Sequence, residues 1–307
     1  MMDGLAHRVG RAVLVAAAVA VVIRPVVTEA AVTFVGAAFG TTYRVVLAAD
    51  IPGYSTGEVH REVEELLRGL DMALSTWRSD SDASRFNRAL AGEWVEVGHD
   101  LVEILHVSRR VHDASDGAFD PTAAPFVRLW ASGPVSAPGD EAIDGARSLV
   151  GMDLVEWRAA DHGDDRSMFP SMRKRHDGVT IDLSGIGPGY AVDRIGERLR
   201  ALGSLGHLVV LGGEARAWGR RADESAWSVT VGSDRVVMLT DGEAVATSTV
   251  RPGRSPVDPR SGRPVVAVGS WSVRADSCAE ADAWAVAAVV MGLVPEMDGL
   301  VDRRTNR

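Results

Sequence analysis

Residues Asp182-Leu-Ser-Gly-Ile-Gly-Pro-Gly-Tyr-Ala-Val-Asp193 join a short strand to an amphipathic helix through a turn of small residues. The helix is indicated by apolar residues at helical spacing, namely Ala191, Val192, Ile195, Leu199 and Leu202. Small residues let backbone N–H groups approach a ligand, and a helix start adds a partial positive charge, which together suit a phosphate or pyrophosphate. A glycine-rich turn also serves simply to pack a helix on a sheet, so the turn alone leaves both interpretations open.

The composition is that of a folded protein, and the charge pattern gives no sign of nucleic-acid binding. The chain has 307 residues, with 33 Lys and Arg against 42 Asp and Glu, and a net charge of −9. This length allows one large domain with an ample core, and the 32 glycines fit a turn-rich α/β or α+β fold. No basic cluster of the kind that binds nucleic acid stands out. The single cysteine, Cys278, excludes an intrachain disulfide and a cysteine-based zinc site.

The first 31 residues have the pattern of an export signal. Basic residues precede an apolar run at 12–23, and small residues follow around 29–31. The run has the length of a signal-peptide core and is short for a membrane span, although apolar residues beyond Arg24 could extend it into an anchor. We expect a signal peptide or membrane anchor at 1–31, an exported (periplasmic or extracytoplasmic) location, and a folded body at 32–307.

Hydrophobic periodicity predicts strands and helices without strict βαβ alternation, which favours an α+β fold. A strand pair is expected at 32–48 with a tight turn at 40–42, and 159–178 has the character of a loop or hairpin tip. Short strands alternate with turns between 179 and 268. Helices are predicted at about 58–74, 101–111 with Asp100 as a cap, 189–202 and 279–291.

Several short segments follow one another in an order that is typical of a known family. They are Phe39-Gly-Thr-Thr42, the stretch 74–87, Gly117-Ala-Phe-Asp-Pro-Thr122 leading to 129–130, the run 182–193, Val210-Leu-Gly-Gly-Glu-Ala-Arg216, Val245-Ala-Thr-Ser248, the stretch 257–264 and Ala279-Glu-Ala-Asp-Ala-Trp-Ala285. Each segment is weak by itself. Their order and spacing over 34–292 resemble the ApbE family, the FAD:protein FMN transferases.

The resemblance implies a single ApbE-like (T-fold-like) unit with an FAD cleft between its two halves. It further implies a Mg²⁺-dependent, exported transferase that cleaves FAD, attaches FMN to a threonine hydroxyl of an acceptor flavoprotein and releases AMP. Pyrophosphate cleavage needs charge neutralisation at the leaving oxygens, and a hydroxyl nucleophile needs help in losing its proton. The implied partners are FAD and the acceptor flavoprotein.

Carried over position by position, the resemblance implies a set of FAD contacts. Core packing is the alternative for Trp77 and Phe119, and a turn-forming or capping role is the alternative for Asp120. The implied cofactor-binding residues are Phe39, Trp77, Ala118, Phe119, Asp120, Ser184, Tyr190 and Val257.

The resemblance also implies a magnesium site on the last helix. Its expected ligands are the side chain of Asp282, which is also the predicted catalytic residue, the side chain at position 286, and the backbone oxygens of Gly187 and Ala285. Positions 282 and 286 share a helix face, but Val286 has no oxygen where the family has a threonine. Magnesium prefers six oxygens and readily keeps water, so this loss weakens the predicted site without abolishing it. The alternative for Asp282 is a helix carboxylate that faces solvent or an arginine.

Two more positions depart from the family pattern. Pro188 stands in place of a lysine after the glycine-rich turn, and Ser255 in place of a histidine before an Asp-Pro pair. Proline is tolerated in a first helical turn, but it removes a backbone donor and a positive charge beside the expected phosphates. Two functions therefore stay open: a flavin transferase, and a catalytically degenerate FAD-binding relative that acts as a flavin carrier or partner-binding protein. A third, a purely structural exported protein, would leave the turns at 182–193 and 212–214 unexplained.

Overall fold

The computed structural model describes residues 24–25, 32–131, 138–160, 168–231, 235–250, 255–266, 269–292 and 300–302. Its helices are α1 (Thr56–Leu74), α2 (Asp82–Arg88), α3 (His99–Ala114), α4 (Ala124–Ala131), α5 (Asp140–Arg147), α6 (Gly187–Ala201) and α7 (Cys278–Val290), with a 3-10 turn at Met152–Leu154. Its strands are β1 (Arg24–Pro25), β2 (Val32–Ala38), β3 (Thr41–Leu47), β4 (Val95–Glu96), β5 (Val155–Arg158), β6 (Ser171–Lys174), β7 (His207–Leu211), β8 (Glu214–Trp218), β9 (Trp227–Val231), β10 (Arg235–Leu239), β11 (Ala244–Val250), β12 (Val257–Asp258), β13 (Arg263–Pro264), β14 (Gly269–Ala275) and β15 (Leu300–Asp302).

A seven-stranded sheet forms the middle layer, in the order β15-β14-β11-β8-β7-β3-β2. Its pairs are antiparallel except β14 with β15. Side chains alternate between its faces, so Val45 joins the core under the helices while Val46 joins a second core under the β1-β9-β10 sheet. Helices on one face and a small sheet on the other confirm the predicted α+β fold.

The β2–β3 hairpin ends in a two-residue turn, Phe39-Gly40. Ala38 pairs with Thr41, and both turn residues have positive φ, 51° for Phe39 and 72° for Gly40. This is the turn geometry that matches strand twist, although a left-handed conformation is unfavourable for phenylalanine. The turn therefore lies one residue earlier than the predicted 40–42, because Thr41 and Thr42 belong to β3.

Local capping chemistry sets the helix starts. Ser55 and Glu58 form a reciprocal capping box, so α1 begins at Thr56, two residues before the prediction. The prediction of Asp100 as a cap is wrong, because α3 begins at His99 with Gly98 at the cap position. Asp100 lies instead in the first turn of α3, where a carboxylate is favoured by the helix dipole.

Helix α6 packs unusually close to its neighbours through two glycines. A Cβ at Gly189 would overlap the carbonyl oxygen of Cys278, at the start of α7. A Cβ at Gly196 would overlap the indole ring of Trp218, on β8. Glycine at these two positions lets α6 lie directly on α7 and on the sheet.

Two predicted regions are covered only in part. Within 159–178, β6 forms a hairpin with β5, and 161–167 lie outside the described residues. Of the predicted leader 1–31, only β1 is described, and it pairs with β9 through Arg24 and Thr230. The signal or anchor assignment therefore stays a prediction. Among the described residues, no helix combines the length and apolar character needed to cross a membrane.

We predict opposite effects for alanine at two helical glycines. Gly196→Ala should lower the free energy of unfolding by about 1–3 kcal/mol, because the added methyl collides with buried Trp218. Gly69→Ala, on an exposed face of α1 with open space around it, should raise stability by up to about 1 kcal/mol. Chemical denaturation of both variants measures this, and equal effects would contradict the close packing of α6.

Candidate active site

A cavity of about 510 Å³ lies between the β2–β3 turn, the end of α1 and the start of α6. Its volume is in the range usual for small-molecule sites. Its walls combine two aromatic rings with hydroxyls and charged groups. The lining residues are Phe39, Gly40, Asp71, Leu74, Ser75, Thr76, Trp77, Arg78, Asp182, Leu183, Ser184, Gly187 and Pro188.

The cavity brings together four of the residues predicted for the cofactor or metal: Phe39, Trp77, Ser184 and Gly187. The indole of Trp77 is 97% exposed, which contradicts the core-packing alternative for this residue. An exposed aromatic face beside a cavity is available to stack on a planar ring. Ser184 is also exposed, and its backbone N–H donates to Oδ1 of Asp182 at 2.9 Å.

A second cavity, of about 610 Å³, adjoins the first. The two cavities share Phe39 and Asp71 in their linings, so they meet at the β2–β3 turn and α1. In the second cavity, α1 contributes charged residues of both signs to the lining. Its lining residues are Ala37, Ala38, Phe39, Tyr43, Arg61, Glu64, Leu67, Arg68 and Asp71.

The backbone N–H groups at the start of α6 have partners inside the protein. Those of Gly187 and Tyr190 donate to backbone carbonyls of the preceding turn, and that of Gly189 donates to Oδ2 of Asp282 at 3.0 Å. Pro188 has no N–H. These three amides are therefore engaged by the protein itself, as the packing interpretation of the turn expects, and phosphate binding at the turn stays a prediction. What the helix start offers an anion is the field of its dipole.

Two carboxylates fasten α6 and α7 to each other. Asp282, on α7, accepts the N–H of Gly189 in the first turn of α6. Asp193, on α6, accepts the N–H of Cys278 with Oδ1 and of Ala279 with Oδ2, both at 2.9 Å, in the first turn of α7. We call this reciprocal arrangement the helix clasp. Each buried helix start thus has orphan donors satisfied by a carboxylate of the other helix.

The surroundings of the clasp are acidic and buried. Arg216 balances Asp193 at 2.7 Å and lies over the ring of Trp218. Burial raises the pKa of Asp282 to about 7, against the opposing hydrogen bond from Gly189. Burial and the nearby Asp282 raise the pKa of Glu214 well above its usual range. Asp282 therefore gains a proton more easily than an ordinary aspartate.

The residues present do not match the donor set that the family implies for magnesium. Asp282 is buried, which contradicts the alternative of a solvent-facing carboxylate, and one of its oxygens is engaged by Gly189. Val286 faces Gly185, where an added Cβ would lie 3.1 Å from its Cγ2. Within the described parts of the chain, no three His, Cys, Asp or Glu side chains cluster as metal ligands. Only one residue, Asp282, thus provides a side-chain ligand where the family pattern has two, an aspartate and a threonine.

Other predicted contacts lie outside the walls of the cavity. Ala118 and Phe119 are buried in the core, and Asp120 accepts the N–H and hydroxyl of Thr122 with Oδ1 at 2.7 and 2.6 Å, which is its turn-forming alternative. Asp282, Ala285 and Val286 do not line the cavity either. The roles assigned to these residues stay predictions.

Two further predicted FAD contacts have other surroundings. The hydroxyl of Tyr190 lies 2.8 Å from Asp100 and 2.9 Å from Glu103, on α3, and these carboxylates and burial raise its pKa. Val257 packs in a small separate core with Phe126. Neither side chain lines the 510 Å³ cavity. The predicted FAD contacts of Tyr190 and Val257 therefore stay predictions.

Sequence reasoning missed three charged residues that line the cavity. Asp71 lies near the end of α1, Arg78 follows that helix, and Asp182 precedes the α6 turn. Arg78 forms ion pairs with Asp71 at 3.6 Å and with Asp80 at 3.0 Å. Arg78 and Asp182 lie inside segments that the motif comparison had singled out. Asp71 carries no comparable signal, because a polar residue on an amphipathic helix looks like an ordinary solvated one.

Breaking the helix clasp should destabilise the protein. Asp193→Asn leaves the Arg216 charge without its partner in a buried setting, so we expect a loss of about 3 kcal/mol in the free energy of unfolding. Asp140→Asn removes an exposed ion pair with Arg263 and should cost less than about 1 kcal/mol. Urea denaturation measures both, and similar losses would argue against the clasp.

The Asp120 turn should make stability depend on pH. Its Oδ2 lies 3.5 Å from Nε2 of His112, and this carboxylate raises the pKa of His112 above 6.5. A raised histidine pKa adds stability below pH 6.5 that is lost as pH rises through the folded-state value. His112→Gln should therefore destabilise the protein more at pH 5.5 than at pH 8.5. In Asp120→Asn, which keeps the Oδ1 contacts, this difference should shrink; an unchanged difference would contradict the pairing.

Comparisons with known proteins agree with this architecture. The sequence profile of the ApbE family matches residues 39–306. The crystal structure of flavinyl transferase ApbE from Pseudomonas stutzeri, in its apo form, is 33% identical with a TM-score of 0.74, over 85% of this chain and 84% of that one.

Two curated relatives are named FAD:protein FMN transferase. That of Haemophilus influenzae is 30% identical over 202 residues, which are 64% of this chain and 57% of that protein. That of Vibrio cholerae is 29% identical over 280 residues, 84% of this chain and 80% of that protein. The match thus spans little over half of the first relative and four fifths of the second. From the profile match and the shared mixed α+β fold, we conclude that this chain belongs to the ApbE family.

Proposed function

We propose that this protein binds FAD in the 510 Å³ cavity and transfers its FMN half to a threonine hydroxyl of a partner flavoprotein, releasing AMP. One observation carries the proposal: in a chain of this family, two aromatic side chains, Phe39 and Trp77, line the same cavity as the start of α6. Aromatic walls suit the flavin ring, and a helix start suits the phosphates.

One cationic side chain at the cavity wall supports the binding of a pyrophosphate, whereas the other charged lining residues, Asp71 and Asp182, are acidic. Arg78 is the lining residue with a cationic side chain, and its ion pairs with Asp71 and Asp80 hold it at the wall. A guanidinium can neutralise phosphate oxygens through paired hydrogen bonds. Arg78 therefore offers a positive charge on the same cavity whose opposite wall has Pro188 in place of lysine.

The proposed reaction is a phosphoryl substitution. The threonine Oγ bonds to the phosphorus of the FMN half, and the bond from that phosphorus to the bridging oxygen breaks. AMP leaves with the bridging oxygen, and the hydroxyl proton passes to a base. Asp71 and Asp182 are the carboxylates that line the cavity, which makes them the candidate proton acceptors. Asp282, the residue predicted from the resemblance, acts in this scheme by holding α6.

The family also implies magnesium, which would supply charge neutralisation at the bridging oxygen. Asp282 offers one side-chain oxygen for it and Val286 none, so no step above depends on a metal. The magnesium assignment stays a prediction. Export, and membrane attachment if the leader is retained, are supported by the sequence pattern of 1–31.

A second function is favoured by a specific observation. Val286, Pro188 and Ser255 replace the threonine, lysine and histidine of the family pattern, and the Val286 side chain occupies the space beside Gly185. These changes leave the aromatic walls of the cavity intact. The alternative is therefore an FAD-binding protein without transferase activity, which carries flavin or binds a partner.

FAD binding should depend on Trp77. Trp77→Ala should weaken FAD affinity about tenfold, because a stacking surface at the cavity mouth is lost. Leu205→Ala, which truncates an apolar side chain of similar exposure outside the cavity lining, should leave affinity unchanged. Titration of FAD fluorescence measures both. If wild-type protein ignores added FAD, both proposed functions fail.

Transferase activity and flavin carriage differ in two products, AMP and covalently flavinylated protein. With FAD, Mg²⁺ and an extract that contains acceptor flavoproteins, a transferase releases AMP and leaves protein with covalent FMN, whereas a carrier does neither. Val286→Thr adds one hydroxyl where the family has one, so it should raise the rate at a given Mg²⁺ concentration. Val286→Ala is the control without an added oxygen. Equal rates for the two variants would show that the metal, if used, is bound elsewhere.

A further inference from the structure

The end strand β2 has an unusual edge. In the described part of the chain, β2 is the last strand of the seven-stranded sheet, next to β3. Three of its side chains, those of Thr33, Val35 and Ala37, are exposed and uncharged, and Val35 is 53% exposed. Proteins usually protect such an edge with charged residues, proline or a bulge. The seven residues of β2 contain neither charge nor proline, and their register with β3 is regular.

The backbone of β2 offers hydrogen bonds at its free edge. In an antiparallel ladder, residues alternate between bonding the partner strand and facing away from it. The carbonyl of Thr42 accepts from Gly212, on the β7 side, so the pair Ala37–Thr42 faces away from the β2–β3 ladder. Because this alternation repeats every two residues, the backbone N–H and C=O groups of Ala37, Val35 and Thr33 all point away from β3, toward the free edge.

This edge leads to the candidate active site. The end of β2, Ala37 and Ala38, lines the 610 Å³ cavity, and the next residue, Phe39, also lines the 510 Å³ cavity. A chain laid along β2 would therefore pass over the cavity that contains Arg61, Glu64 and Arg68. It would then reach Phe39, which also lines the proposed FAD site.

We propose that the acceptor flavoprotein docks by adding an extended segment to the free edge of β2, which delivers its threonine to the FAD cavity. This inference rests on the proposed function. A β-branched residue such as threonine favours extended backbone, and strand addition gains affinity from main-chain bonds. Specificity comes from the side chains that enter the 610 Å³ cavity, where α1 presents charges of both signs.

The test removes one backbone N–H donor from the free edge of β2. Val35→Pro deletes the N–H at the middle of the edge, and proline is tolerated on an edge strand. Val35→Thr keeps the N–H with a side chain of similar shape. Thr33→Pro is a second edge variant farther from the cavities. Purified full-length proteins are incubated with FAD and an extract of the source organism that lacks this chain, and covalent FMN is followed by fluorescence in a denaturing gel.

We expect Val35→Pro and Thr33→Pro to slow labelling at least tenfold in dilute extract, with a smaller loss in concentrated extract. Val35→Thr should stay within about twofold of wild type, and all variants should bind FAD with wild-type affinity. Wild-type labelling by a proline variant that binds FAD normally would overturn the docking site alone. An absence of labelling by the wild-type protein would instead remove the transferase function, and this inference with it.

Discussion

The exchange of carboxylates between α6 and α7 is the constraint on which the site depends. Both helices begin inside the protein, where unpaired N–H groups would be costly. Asp193 satisfies the start of α7, and Asp282 satisfies the start of α6. Because Gly189 allows the helices to touch at this point, the clasp fixes the position of Gly187 and Pro188, which form one wall of the cavity.

The clasp also bears on the chemistry of the site. One carboxylate oxygen of Asp282 accepts the N–H of Gly189 and so holds α6, which leaves the other as the freer oxygen for a metal. Asp282 and Val286 lie about one turn apart on α7. The hydrogen bond of Asp282 to α6 is made, whereas Val286, beside Gly185, offers no oxygen for a metal. The aromatic walls lie away from this turn. In the proposed function, the aromatic part of the FAD site is therefore distinct from the position that the family pattern implies for the metal.

Much of the fold follows from sequence, but much of the site does not. The periodicity of α1 and the small residues before α6 were sufficient to predict the helices, with ends shifted by local capping such as the Ser55–Glu58 box. Motif order, however, does not give the direction of a side chain. The hydroxyl of Tyr190 binds a carboxylate of α3, which is distant in sequence. The carboxylate of Asp120 binds Thr122, two residues along the chain. Asp71 reaches the cavity only because α1 ends beside the β2–β3 turn, a tertiary fact.

The conformation of Phe39 has a consequence for how stable this protein can become. Its φ of 51° is one that asparagine or glycine adopts far more readily, so either would relieve backbone strain on the order of 1 kcal/mol. Such a gain would come at the expense of the aromatic ring that lines both cavities. The stability of the hairpin and the shape of the proposed ligand site are thus opposed at a single residue.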